Sequence, residues 1–284
     1  MSSRLNHPLA LAQTFLFVPG NRPERFEKAL ATGSHAVIID LEDAVALDEK
    51  ITTRQALEKS LPELLKHHAD RLVLRINAFG TDFFKDDLAF ISKFEIGAII
   101  HPKTESSAQL DLMAASLKPN TSIIPMIETA QGITQIRAIA NHPKTLRLTL
   151  GNIDLQADLG FTCDDNETEL YPVRYEIALA TRLAEIASPI DGVSTNIENH
   201  DALHRDTLRA KRLGFGAKLC IHPKQVAEVI QCFTPSAAEI DKAKRIVEAD
   251  KASNGGAVKL DGRMVDRPVV LLAKKILQIA GVRV

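Results

Sequence analysis

The sequence predicts an α/β protein, a (β/α)8 TIM barrel with a C-terminal extension. Three observations carry that expectation. Short β-branched or apolar runs alternate with longer stretches of helical spacing, and eight such runs can be counted along the chain. Eight parallel strands with intervening helices favour closure over an open sheet, and 284 residues suffice for one such barrel.

In order, the expected strands are 14–18, 36–40, 72–76, 98–101, 122–127, 147–150, 190–193 and 217–221. The first ends at Pro19-Gly20, a turn signal, and helical spacing follows over 22–31. Further helices are expected over 52–67, 106–117, 131–140, 172–187 and 201–213. An open doubly wound sheet is the alternative, but its dinucleotide fingerprint is missing. Gly214-Phe215-Gly216 lacks the third glycine and precedes a strand instead of following one. Beyond Ser253 the pattern changes: Gly255-Gly256 reads as a hinge, 257–260 as a short strand and 268–279 as a helix. The expected organisation is a catalytic barrel over 1–252 and an arm over 253–284.

Composition narrows the function. Thirty-five Lys and Arg against 36 Asp and Glu leave a formal charge of −1, which gives no field to attract a polyanion, so no nucleic-acid partner is expected. No apolar run approaches the roughly 18 residues of a membrane span, and Gln13 interrupts the only stretch that imitates a secretory signal. Cys163, Cys220 and Cys232 show no C-x-x-C spacing, so neither a disulfide framework nor a zinc site is expected, and a reducing, cytoplasmic setting fits.

In a barrel of this kind the active site forms at the C-terminal ends of the strands. The residues there are rich in chemistry: Asp40-Leu41-Glu42-Asp43, Arg75-Ile76-Asn77, His101-Pro102-Lys103, Glu128-Thr129, Asn152-Ile153-Asp154 and His222-Pro223-Lys224. Carboxylates converging on one mouth raise each other's pKa unless a cation neutralises them. Two carboxylates with open positions for water and substrate suit Mg2+, and Glu128 with Asp154 is the expected pair. The competing reading is that Glu128 and Asp43 only complement the dipoles of the helices that follow. Arg75 could hold a carboxylate or polarise a carbonyl oxygen, or could serve only as an ion-pair partner of Asp40 or Glu42. Arg22, Arg25 and Lys28 could meet the phosphates of a large ligand, or form a solvated helix face. His101, His222, Lys103 and Lys224 are read as satisfied or exposed side chains.

These segments assemble into a pattern: Phe17-Val18-Pro19-Gly20-Asn21-Arg22-Pro23, Ile39-Asp40-Leu41-Glu42-Asp43, Arg75-Ile76-Asn77, Ile127-Glu128-Thr129-Ala130, Asp154 with Asp158-Leu159-Gly160, Lys218-Leu219-Cys220-Ile221-His222-Pro223 and Asp261-Gly262-Arg263-Met264-Val265-Asp266-Arg267-Pro268. In this order, over essentially the whole chain, it resembles the citrate lyase beta-subunit-like branch of the HpcH/HpaI aldolase superfamily. The resemblance implies a Mg2+-dependent carbon–carbon lyase that cleaves a 3-hydroxy-3-carboxylalkyl-CoA thioester to acetyl-CoA and a 2-oxo acid, with citramalyl-CoA favoured over malyl- or citryl-CoA. It implies Glu128 and Asp154 as metal ligands, Arg75 as the oxyanion-stabilising residue and Glu42 as an acid/base or supporting carboxylate. It also implies that Asp266 reaches the barrel mouth of a neighbouring subunit of a homo-oligomer, a trimer or a multiple of it, and exchanges a proton there. The CoA phosphates would run past Arg22 and Lys28. One departure is that relatives often carry Gly-x-Glu-Asp where this chain has Gly151-Asn152-Ile153-Asp154. The rival readings are a malyl-CoA thioesterase, a citrate lyase beta subunit acting on an acyl-carrier-protein thioester, and a non-catalytic binding component.

Overall fold

The structure, a computed structural model, describes residues 3–253 and 256–282. The chain forms two compact units, Met1–Ile230 and Gln231–Val284.

The first unit holds a closed barrel of eight parallel strands in sequential order, β1 (Thr14–Pro19), β2 (Ala36–Asp40), β3 (Leu72–Arg75), β4 (Ala98–His101), β5 (Ser122–Ile127), β6 (Thr149–Leu150), β7 (Ile190–Asp191) and β8 (Ala217–Cys220). Closure is made where β8 pairs with β1, Phe15 opposite Leu219. Strands β6 and β7 are shorter than their apolar runs. The backbone bonds nevertheless continue, with Leu146 N donating to Ile123 O and Ile190 N to Leu148 O.

The helices are α1 (Phe26–Leu30), α2 (Lys50–His68), α3 (Phe84–Ile91), α4 (Ser107–Ala114), α5 (Ala130–Thr134), α6 (Ile136–Asn141), α7 (Asn152–Leu159), α8 (Tyr171–Leu183), α9 (His200–Arg212) and α10 (Lys224–Phe233). The helix expected over 22–31 starts as a 3-10 turn at Pro23, and the one expected over 131–140 breaks at Gln135 into α5 and α6. Helices α3, α7 and α10 carry no expectation from the sequence. The α7 helix starts directly after β6 and ends at Gly160, whose φ of 71° is the left-handed C-terminal stop that glycine permits. Asp154 therefore sits in the first turn of α7.

One apolar cluster fills the barrel: Phe15, Ala36, Ile38, Val73, Ala98, Ile100, Ile124, Met126, Ile190, Ala217 and Leu219, joined by Leu9, Ala10 and Ala12 from the N-terminal segment. Arg147 fastens that segment. It is fully buried, lies over the Phe15 ring, and donates to the carbonyls of Leu9 (2.9 Å), Ala12 (2.8 Å) and Ser188 (2.8 Å).

The second unit contains α11 (Ala237–Ala252), β9 (Val258–Leu260), β10 (Arg263–Val265) and α12 (Arg267–Ile279). Ser236 and Glu239 form a reciprocal capping box that starts α11. The β9–β10 pair is a two-residue hairpin with Asp261 and Gly262 both at positive φ, the backbone that an Asp-Gly turn favours. Its core joins Ala243, Ile246 and Val247 to Val265, Val270, Ala273 and Leu277. Of the expected hinge, Gly255 lies outside the described residues, and Gly256 N donates to Ser253 O. Among the described residues no helix is long and apolar enough to cross a membrane, and no disulfide joins Cys163, Cys220 and Cys232.

Replacing Arg147 with Met would keep the apolar stem and orphan three buried carbonyls. Unsatisfied buried acceptors cost about 1–3 kcal/mol each, so R147M should lose roughly 3 kcal/mol of unfolding free energy in urea. A loss below about 0.5 kcal/mol, the scale of a surface substitution, would remove the latch from this account.

Candidate active site

Alternate residues of a strand share one face. On β2 the core residues Ala36 and Ile38 are followed, two positions on, by Asp40. On β3 Val73 is followed by Arg75, and on β5 Ile124 and Met126 are followed by Glu128. The face that packs the barrel therefore ends in charge, and all three of these side chains are buried.

Arg75 is held as a fork. Its Nε donates to Asp40 Oδ1 at 2.7 Å and its Nη2 to Asp40 Oδ2 at 2.6 Å. That leaves Nη1 facing Glu42 Oε2 at 2.9 Å and Asp43 Oδ2 at 3.4 Å, with the guanidinium over the Phe17 ring. Arg75 is thus an ion-pair partner of Asp40, and that pairing leaves its Nη1 edge beside Glu42 and Asp43. Burial opposes the guanidinium's charge, but the carboxylates of Asp40, Glu42 and Asp43 outweigh it and raise its pKa above the ordinary value. Asp40 also accepts the backbone N–H groups of Glu42 and Ala44, folding the loop after β2. Lys50 closes that loop from behind, its Nζ donating to Leu41 O and Glu42 O. Glu42 is consequently held in the wall; burial, reinforced by Asp43 and Asp40, pushes its carboxyl up to about 7 against the opposing pull of Arg75 and Lys103. Asn77 is occupied elsewhere, donating to Asp87, which Arg54 also binds.

Glu128 is 1% exposed, and burial pushes its carboxyl up to about 8, with the charges of Glu42 and Asp154 adding to the shift. Its Oε1 accepts the Lys103 backbone N–H at 2.7 Å. The other oxygen occupies the space where residue 151 would carry a side chain: a Cβ on Gly151 would lie 2.0 Å from Glu128 Oε2. The dipole reading of Glu128 does not describe this geometry. Thr129 caps α5 by accepting from Gly132 N, and Asp158 takes the Ala130 N–H. Asp43 is 60% exposed and sits beside Arg75.

Lys103 completes the cluster. Its Nζ lies 3.1 Å from Asp154 Oδ1 and 3.3 Å from Glu42 Oε1. The sequence reading passed over it as a satisfied or exposed side chain. Its position directly after His101-Pro102 at the end of β4 was the available signal. His101 itself is buried beneath, its Nδ1 paired with Thr104 and burial pushing it down to about 3, so it stays neutral. Asn152 clamps two strand ends by accepting from Val193 N and donating to Val193 O, while Ile153 beside it is half-exposed.

Asp40, Glu42, Glu128 and Asp154 thus face Arg75 and Lys103, an excess of carboxylate over ammonium and guanidinium. A raised Glu128, a backbone cradle shaped by Gly151 and a set of hard oxygen donors fit a divalent cation such as Mg2+, which Glu128 and Asp154 would hold. A cavity of about 410 Å3 opens beside them, bounded by Ala78, Phe79, Glu105, Gln109, Ala157 and Asp158 as well as Lys103. Arg22 and Lys28 are exposed on the β1–α1 segment and make none of these contacts. Asp266 belongs to the second unit, where its carboxylate caps α12 by accepting from Val269 N at 3.4 Å.

Two outcomes follow from this geometry. Gly151→Ala should displace the Glu128 carboxylate and weaken Mg2+ binding in calorimetry by about tenfold or more, as loss of a ligand-orienting contact does; unchanged binding would show that the cradle is not needed. The second concerns pH. Glu128 retains its proton in the folded state up to about 8, whereas the unfolded chain releases it near the ordinary value of 4.5. The folded state therefore binds more protons in that window, and the metal-free protein loses stability as pH rises from 5 to 8. Urea midpoints of Glu128→Gln should fall less over that range than those of the parent; equal slopes would contradict the assignment.

Comparison with known proteins identifies the family. Residues 13–223 match the family described as HpcH/HpaI aldolase/citrate lyase. The citrate lyase subunit beta of Leuconostoc mesenteroides subsp. cremoris is 32% identical over 285 residues, covering 95% of this chain and 94% of that protein. A (3S)-malyl-CoA thioesterase of Cereibacter sphaeroides is 33% identical over 275 residues, covering 95% and 94%. The crystal structure of CitE from Mycobacterium tuberculosis in complex with magnesium, acetoacetate and coenzyme A superposes with a TM-score of 0.84 at 33% identity, covering 96% of this chain and all of that one. By the match to its barrel and by relatives that span nearly the whole chain, this protein belongs to the HpcH/HpaI aldolase/citrate lyase family and is a citrate lyase beta-subunit-like lyase.

Proposed function

We propose that the chain cleaves a 3-hydroxy-3-carboxylalkyl-CoA thioester, with citramalyl-CoA the favoured substrate, to acetyl-CoA and a 2-oxo acid. The observation that carries this reading is the joint presence, in one barrel mouth, of a carboxylate pair suited to Mg2+ and a guanidinium edge fixed by Asp40. The relative crystallised with magnesium, acetoacetate and coenzyme A supports the ligand classes.

Mg2+ held by Glu128 and Asp154 would supply Lewis acidity and a template for the substrate's 3-oxygen and adjacent carboxylate. The chain's own groups do the rest. Glu42, raised to about 7, accepts the 3-hydroxyl proton. Arg75 Nη1 shares the negative charge that develops on that oxygen, and Asp40 keeps the fork from turning away. As the bond between C2 and C3 breaks, its electron pair passes to the thioester enolate, whose carbon takes a proton from Asp266 of a neighbouring subunit. In the condensing direction Asp266 removes that proton. Arg22 and Lys28 meet the CoA phosphates from the first loop and helix. The arm over 253–284 would then complete a homo-oligomeric site, a trimer or a multiple of it.

The cavity supports the choice of acyl group. Among the described residues lining it, Glu105, Glu128, Asp154 and Asp158 are acidic and Lys103 is the one cation. The extra carboxylate of a citryl group would meet repulsion there, whereas Ala78, Phe79 and Ala157 offer a methyl an apolar wall.

The test is incubation of the purified chain with Mg2+ and citramalyl-, malyl- and citryl-CoA, with products identified by mass spectrometry. Acetyl-CoA with pyruvate is expected. Free hydroxy acid with CoA would move the reading to the thioesterase that the Cereibacter relatives are named for. No product would favour a carrier-protein-dependent subunit or a binding component. The shared site has its own outcome. Asp266→Asn and Glu128→Gln should each lower turnover by about 100-fold or more, the scale of a lost general acid or metal ligand. Mixed oligomers of the two should regain activity; no recovery would place Asp266 outside a neighbour's mechanism.

A further inference from the structure

We propose that Lys103 is a positioning residue that acts as a built-in counter-cation: its ammonium holds Asp154 against Glu42, and a divalent cation must displace it from Asp154 to bind. This rests on the reading of Glu128 and Asp154 as metal ligands and goes beyond it, because it assigns the residue that sets how tightly the metal is held.

Three features of Lys103 point the same way. Its Nζ bridges Asp154 Oδ1 at 3.1 Å and Glu42 Oε1 at 3.3 Å, so one positive charge joins a metal ligand to the acid/base carboxylate. Its backbone N–H holds the other ligand, Glu128, at 2.7 Å. Its φ of 45° lies in the left-handed region, which a long L side chain enters at a cost. That conformation is what lets one residue serve Glu128 with its main chain and Asp154 with its side chain. The side chain is also the cation that lines the cavity among the described residues, so once released from Asp154 it stays beside Glu42 and the substrate space.

The two attachments have separable consequences. The backbone contact pre-forms the Glu128 ligand whatever the side chain is. The ammonium neutralises the site before the metal arrives, and it occupies Asp154 in competition with it. Removing the charge while keeping the residue's backbone should therefore tighten metal binding, the opposite of what loss of an ordinary supporting residue does.

The measurement is calorimetric titration of Mg2+ into the metal-free full chain, with no substrate present, for the parent, Lys103→Met, Lys103→Arg and Lys103→Gly. Met keeps the stem and the strained φ, so backbone cost is matched; Gly relieves φ and keeps the N–H, which guards against a Met variant that fails to fold. Lys103→Met and Lys103→Gly should bind Mg2+ roughly tenfold more tightly, as expected for removing a charge about 3 Å from a ligand in a partly buried site. Lys103→Arg should stay near the parent. Thermal unfolding should show Lys103→Met less stable than the parent without metal, with the gap closing at saturating Mg2+. Unchanged or weaker binding by both Met and Gly variants, or Arg tightening as much as Met, would overturn the proposal. Absence of Mg2+ binding by the parent would instead overturn the metal-site reading itself, so the two failures are told apart.

Discussion

Everything at the barrel mouth depends on an imbalance of charge in a buried place. Asp40, Glu42 and Glu128 are nearly removed from water, Asp154 stands beside them, and Arg75 and Lys103 answer them. With Asp43 beside Arg75, five carboxylates stand against these two cations, an excess of acid that a divalent ion would offset. Burial first, and the neighbouring carboxylates after it, raise the carboxyls of Glu42 and Glu128 in the metal-free state.

The fold tolerates this arrangement because it confines it. Below the mouth an apolar cluster fills the barrel, and Arg147 seals the N-terminal segment into it through carbonyls rather than carboxylates. A second set of buried charges is balanced internally. Asp191, Glu167 and Asp206 answer Arg174, Lys218 and Arg209, and at Asp191, the end of β7, the charges of Lys218 and Arg174 outweigh burial and keep its pKa low. The contrast is instructive: where structure alone is served the ions are matched, and where chemistry is expected they are not.

Most of the fold was legible in the sequence, since β2, β4 and β5 span the apolar runs read from it and the others differ at their ends. The failures have physical reasons. Helix α7 begins within the segment read as a metal-ligand motif, and α5 and α6 share one apolar stripe that Gln135 interrupts. The arm's second strand was hidden because Arg263 and Met264 are exposed and carry no burial pattern. For the site, position after a strand was enough to nominate Glu42, Arg75, Glu128 and Asp154. It could not reveal that Gly151 must be glycine, because that need arises only when β5 and β6 stand side by side. Lys103 shared that position after β4, but no local pattern announces the left-handed backbone from which its N–H meets Glu128 and its ammonium meets Asp154.

The central claim is that a divalent cation belongs between Glu128 and Asp154, with the 2-oxo acid product turned toward Arg75. The most direct measurement is a crystal of the protein grown with Mn2+ and pyruvate, with data collected for anomalous scattering. A peak bound by one oxygen each of Glu128 and Asp154, with the oxo acid on the Arg75 side, is the expected result. A peak elsewhere, or a well-ordered mouth in which Lys103 keeps Asp154 and no metal enters, would contradict it.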